Sequence, residues 1–270
     1  MSHVTKLIAL CFSMLCVLSA SAVAQAPASQ PVAASRPSLP PDKNPMTTTQ
    51  PAVHSRNSHE AFLARARQGN SNLVFLGDSI TAGWRDNAVW QQYYVTLHAV
   101  NFGIGGDTIQ NVLWRVGHGE IDPALIQPKV IVLLIGTNNV GGDSTRDIVA
   151  GLKNLVAAIR ETAPQSKLLL LGIFPCQEKR TRWRRQIEDV NSQISVLDDG
   201  KMIRFLDLSA KFVNADGTIS KEIMPDFLHL SPKGYAIWAE GMQPLLAEMM
   251  GLPATAPDAG KQALPLHDHP

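Results

Sequence analysis

Cysteine and charge are both scarce in this sequence. Three Cys occur in 270 residues, and two of them, Cys11 and Cys16, fall in an apolar N-terminal run. Cys176 is left alone, which excludes a disulfide framework and a cysteine-based metal site. Charged residues make up only 17%, and Lys plus Arg outnumber Asp plus Glu by 24 to 23. A chain so close to neutral has no electrostatic footprint for nucleic acid. No period recurs along it, so a repeat architecture is excluded. Aromatics are sparse at 6%, but a hydrophobic content of 45% supplies a large core and excludes a wholly disordered chain.

The N-terminal apolar run, 7–18, is too short for a membrane span. Lys6 precedes it, small residues follow, and Ala22-Val23-Ala24 fits an A-x-A cleavage pattern. Residues 1–24 therefore read as a secretory signal peptide, which sends the mature chain to the bacterial envelope or outside the cell and leaves it without a stable membrane span. Residues 25–54 are rich in Pro, Ala, Ser and Thr and read as a disordered linker, as does the tail over 251–270. His267 and His269 in that tail are too few to make a metal site.

Between the tails, residues 55–250 form one domain in which short apolar runs alternate with helical spacing. Strands are expected over 72–76, 98–102, 130–135, 167–173 and 202–206. Helices are expected from an N-cap at Ser58 to Gln68, then over 147–160, 184–197 and 232–250. The run at 130–135 is continuously apolar, as a strand buried on both faces should be. This alternation predicts an α/β fold, a doubly wound parallel sheet with helices on both faces. In such sheets ligands sit beyond the C-terminal ends of the strands.

Four polar or glycine-rich clusters follow the predicted strands or precede the last helix: Gly77-Asp78-Ser79-Ile80, Gly103-Ile104-Gly105-Gly106-Asp107, Gly136-Thr137-Asn138-Asn139 and Asp226-Phe227-Leu228-His229. They bring a hydroxyl, a carboxylate, an amide and an imidazole to one sheet edge, the parts that acyl transfer requires. A serine hydroxyl needs a base to become a nucleophile, and a neutral histidine is best poised for that near pH 7. A carboxylate on the other ring nitrogen holds the tautomer. The oxyanion needs preplaced donors, which the Ser79 N–H, the Gly106 N–H and the Asn138 amide can supply. Each cluster alone also reads as an ordinary turn or helix cap. Of the eight His, His229 alone has a carboxylate three residues before it. By this reading His54 and His59 precede the domain.

These blocks, in this order, resemble the GDSL or SGNH hydrolase family. Asn101-Phe-Gly-Ile-Gly-Gly-Asp-Thr108, Val112-Leu-Trp-Arg115 and Asp226-Phe-Leu-His-Leu230 look most like the catalytic subunits of platelet-activating-factor acetylhydrolase Ib and their bacterial relatives. The resemblance implies a flavodoxin-like three-layer sandwich with a five-stranded parallel sheet. It implies Ser79 as nucleophile, His229 as base and Asp226 as its orienter, with Ser79, Gly106 and Asn138 forming the oxyanion hole.

The resulting expectation is an ester hydrolase with no metal and no cofactor. Its substrate is a small acylated molecule, a carbohydrate or lipid ester with a short acyl group, acetyl first. Ile80, Thr137 and Leu228 lie beside the catalytic residues in sequence and are expected to bound a small acyl pocket. The acetylhydrolase subunits pair, which leaves a homodimer open. A lysophospholipase or thioesterase on longer chains and a non-catalytic binding module also stay open at this point. The basic run of Lys179, Arg180, Arg182, Arg184 and Arg185 reads either as a solvated helix start or as a grip on an anionic group.

Overall fold

Five apolar runs become strands because their side chains can be buried on both faces. In the computed structural model these are β1 (Leu73–Gly77), β2 (Ala99–Gly103), β3 (Val130–Leu134), β4 (Lys167–Leu171) and β5 (Ile203–Leu206). All pair in parallel, in the order β2-β1-β3-β4-β5. β1 and β3 are buried at every position. The structure describes residues 53–85 and 87–253, all within one compact unit. The expected signal peptide, almost all of the linker and the tail from 254 lie outside the described residues.

The helices are α1 (Val53–Ala66), α2 (Ser79–Ala82), α3 (Ala88–Tyr93), α4 (Ile109–Gly117), α5 (Thr145–Thr162), α6 (Arg182–Ile194), α7 (Ser209–Phe212) and α8 (Pro232–Met250). Successive strand residues point to opposite faces, so two cores form. Val74 and Leu76 of β1 join Phe62 of α1 and the inward faces of α4, α5 and α6. Leu73 and Phe75 join Trp84, Trp90 of α3 and Trp238 of α8. The scarce aromatics are concentrated in this second core. The Phe75 ring meets Trp90 edge-on at 5.1 Å and Trp238 at 6.3 Å. Edge-to-face contacts of this kind add about 1 kcal/mol each beyond burial.

Helix ends follow local chemistry. Ser144 caps α5 by accepting from the Asp147 N–H at 3.1 Å. Ser231 caps α8, Pro232 occupies its first turn, and Gly251 ends it at φ +69°. Two expectations are corrected. Helix α1 starts at Val53, inside the expected linker, and Ser58 lies within the helix rather than at its cap. The apolar face of α4, with Ile109, Val112 and Val116 buried, also adds a helix that the sequence reading did not assign.

Candidate active site

The strand order reverses direction at β1, which has β2 on one side and β3 on the other. That switch point opens a crevice at the strand ends. Ser79 follows β1, and the 3-10 turn Thr137–Asn139 follows β3. Asp78 caps α2, its Oδ1 accepting from the Ile80 N–H at 2.9 Å, so Ser79 is the first residue of that helix. Amides in the first turn of a helix have no intrahelical acceptor and face outward.

Ser79 Oγ lies 2.9 Å from Nε2 of His229. On the other side of the ring, Nδ1 lies 2.7 Å from Asp226 Oδ2. A carboxylate can only accept, so Nδ1 carries the proton and Nε2 accepts from the serine hydroxyl. Asp226 Oδ1 also accepts from the Leu228 N–H at 3.0 Å and the His229 N–H at 2.7 Å. Burial works to raise the Asp226 pKa, but these bonds from the ring and the backbone outweigh it and hold the carboxyl below its ordinary range. Phe227, between them, sits at φ +60°, a strained conformation for a residue with a side chain. The Gln177 N–H holds its carbonyl at 2.8 Å.

The loop after β2 lies against Ser79. A Cβ built on Gly105 would stand 3.9 Å from the Cβ of Ser79. Gly106 adopts φ +80° with nothing near its missing side chain, so glycine is needed there for backbone conformation rather than for space. Asn138 is exposed, and its Nδ2 donates to the carbonyl of Asp107 at 2.8 Å, which leaves its second N–H for another acceptor. The neighbouring Asn139 is buried and joins the same loops, its Oδ1 accepting from the Ile109 N–H at 3.0 Å. The assembly joins a serine hydroxyl, an imidazole and a carboxylate in one hydrogen-bonded chain, an arrangement chemically capable of attack on an ester carbonyl.

Of the residues expected at the acyl pocket, Thr137 and Leu228 are half-buried at this edge. Ile80 is not available there, because its side chain is 1% exposed and packs into the aromatic core beneath α2. The basic run also divides. Arg184 is buried and donates to the carbonyls of Cys176, Gln177 and Gly217. Arg180 pairs with Glu188 on the surface. Arg184 is therefore an internal clamp on the loop that holds Phe227, not part of an anion grip.

The sequence reading missed a second group. His59, expected to precede the domain, is instead buried inside it, in α1, with Nδ1 2.9 Å from Glu120. Glu120 pairs with Arg115, which is itself buried and pairs with Asp107 at 2.9 Å. Arg115 and Asp107 fall within stretches that carry the family resemblance, but nothing local in the sequence signals that they meet.

Residues 75–237 match the GDSL-like Lipase/Acylhydrolase family. Platelet-activating factor acetylhydrolase IB subunit alpha1 of Bos taurus is 33% identical over 232 residues, 83% of this chain and 97% of that protein. The Homo sapiens subunit alpha1 is 35% identical over 193 residues, 71% of this chain and 82% of that protein. An acetylxylan esterase from Geobacillus stearothermophilus superposes with a TM-score of 0.54 at 20% identity, over 70% of this chain and 98% of that chain. A GDSL-like lipase from Bacteroides thetaiotaomicron does so with a TM-score of 0.58 at 19% identity, over 72% and 97%. At such identities the last two speak for the fold alone. The matched segment takes in both Ser79 and His229, and on the family match and the sequence identities together the chain belongs to the GDSL-like lipase/acylhydrolase family of carboxylic ester hydrolases.

Proposed function

We propose that this protein is a serine esterase for short-chain, acetyl-type esters, working through an acyl-enzyme. The observation that carries the reading is the chain Ser79 Oγ to His229 Nε2 at 2.9 Å and His229 Nδ1 to Asp226 at 2.7 Å. As Ser79 attacks the ester carbonyl, Nε2 takes the hydroxyl proton and Asp226 steadies the imidazolium. The Ser79 and Gly106 N–H groups and the Asn138 amide receive the oxyanion. When the tetrahedral intermediate collapses, the departing alkoxide takes the proton from Nε2. Water then repeats the sequence on the acyl-serine and releases the acid.

Thr137 and Leu228, both half-buried and next in sequence to Asn138 and His229, would bound a small acyl group. The leaving-group side is open, since the His229 and Asp226 side chains are 46% and 56% exposed. An open side suits a bulky alcohol part, such as a carbohydrate or lipid carrying O-acetyl groups. Relatives named as platelet-activating factor acetylhydrolase subunits support the acetyl preference. The signal-like pattern up to Ala24 supports action in the cell envelope or outside the cell.

The test is hydrolysis of p-nitrophenyl esters. Ser79→Ala should lower kcat about a thousandfold or more while the protein stays folded. Acetate should be cleaved at least about tenfold faster than decanoate, since a small pocket discriminates by a few kcal/mol. Equal rates on the two esters would reject the short-chain reading in favour of a long-chain lipase or thioesterase. Release of acetate from a panel of acetylated glycans and lipids would then identify the alcohol part.

A further inference from the structure

Arg115 lies in α4 with no exposed surface, yet it is not satisfied by one partner. Its Nη1 donates to the Phe102 carbonyl at 3.0 Å and to Glu120. Its Nη2 donates to the Gly77 carbonyl at 3.3 Å and lies 2.9 Å from Asp107 Oδ2. Phe102 and Gly77 are at the C-terminal ends of β2 and β1, and Gly77 stands two residues before Ser79. A buried guanidinium is costly to desolvate, and one set between two carboxylates is rarely a net gain over apolar packing. What it supplies is a rigid fork of donors, fixed in direction, which neither lysine nor an apolar side chain can reproduce.

The position of Asp107 shows where that rigidity is delivered. Its carboxylate is held by Arg115 from inside, while its carbonyl accepts the Asn138 amide at 2.8 Å on the outside. It also follows Gly106 directly. Behind Arg115, Glu120 is held in turn by His59 at 2.9 Å. We propose that Arg115 is a positioning residue for the oxyanion hole, acting through Asp107 to aim the Gly106 N–H and the Asn138 amide at one point. This rests on the proposed role of Asn138 and Gly106. Arg115 touches no substrate. It sets the direction of donors that must be in place before charge develops.

A double-mutant cycle on p-nitrophenyl acetate tests it. Arg115→Lys keeps the charge and loses the fork. In the otherwise unchanged protein it should lower kcat about tenfold or more, with KM changed by less than about twofold, because the donors matter in the transition state. In an Asn138→Ala background the same substitution should cost no more than about threefold, since coupled residues are not additive. Circular dichroism and thermal melting establish that each variant is folded. If Arg115→Lys does not fold, Asp107→Asn carries the same cycle, keeping the carbonyl that accepts from Asn138 while removing the paired charge.

Equal costs in both backgrounds, or loss of fold in both variants, would overturn the proposal and make Arg115 a support of the core only. If Asn138→Ala alone leaves kcat unchanged, the oxyanion-hole reading itself fails. If Asn138→Ala lowers kcat and the cycle is additive, that reading stands and only the role of Arg115 falls.

Discussion

The hydroxyl of Tyr235 donates to the carbonyl of Ile80 at 2.7 Å, joining the last helix to the turn that presents the serine. Tyr235 is buried, and burial followed by the nearby Asp78 carboxyl pushes its phenol pKa well up, so it stays a donor throughout the usable pH range. Removing the hydroxyl leaves a buried carbonyl without that partner. Tyr235→Phe should therefore destabilise the fold by about 1 kcal/mol, a drop of about 3 °C in Tm for a domain of this size. Differential scanning calorimetry reads it, and an unchanged Tm would show that the bond contributes nothing.

Asp78 supplies a pH dependence with a definite sign. Its carboxyl is completely buried; burial, with the Asp107 carboxylate adding to it and the Ile80 N–H and His229 opposing, pushes the pKa from 3.8 up to about 7. Between those values the folded state binds more protons than the unfolded state, so this group makes stability fall as pH rises. The fall begins near pH 4, ends above about pH 7, and amounts to about 4 kcal/mol at most. Asp78→Asn keeps an acceptor for the Ile80 N–H and does not titrate. Urea unfolding from pH 5 to 8 should show wild type losing stability relative to Asp78→Asn with each step upward. A difference between the two that does not vary with pH would refute this account.

Two glycines at the site should respond differently to alanine. Gly106, at φ +80°, has nothing within 4 Å of a built Cβ, so Gly106→Ala should cost only the backbone strain, about 1 kcal/mol. Gly136 lies at φ +120°, outside the left-handed helical region, and its Cβ would stand 2.7 Å from Ile173 Cδ1. Strain and overpacking combine there, so Gly136→Ala should cost about 3 kcal/mol or more. Urea midpoints for the two variants give the comparison, and a Gly106 variant as unstable as the Gly136 variant would contradict it.

Much of this molecule is legible before folding. The run 130–135 is apolar at every position, short and rich in β-branched residues, as a strand buried on both faces requires, and β3 falls where expected. Helix α8 is bounded by Ser231, Pro232 and Gly251, residues whose own conformational preferences start and stop a helix. The four loop blocks carrying Ser79, Gly106, Asn138 and Asp226 with His229 are visible because their chemistry is written in residue type. Ile80 was misplaced because adjacency in sequence says nothing about which face of a one-turn helix a side chain takes. His59, Glu120 and Arg115 were overlooked for a related reason. Their meaning lies in contacts between α1, α4 and the loop that follows α4, and no local pattern encodes such contacts.

Local preference along the chain was enough to establish the strands, the four longest of the eight helices among the described residues and the kind of chemistry present. It acts through backbone propensity and the burial of apolar runs, both of which are short-ranged. The order β2-β1-β3-β4-β5, the approach of Ser79 to His229 across 150 positions and the burial of Arg115 against Asp107 were decided by packing alone. Those relations depend on which faces find each other once the sheet twists and both cores close, and that is a property of the whole assembled chain.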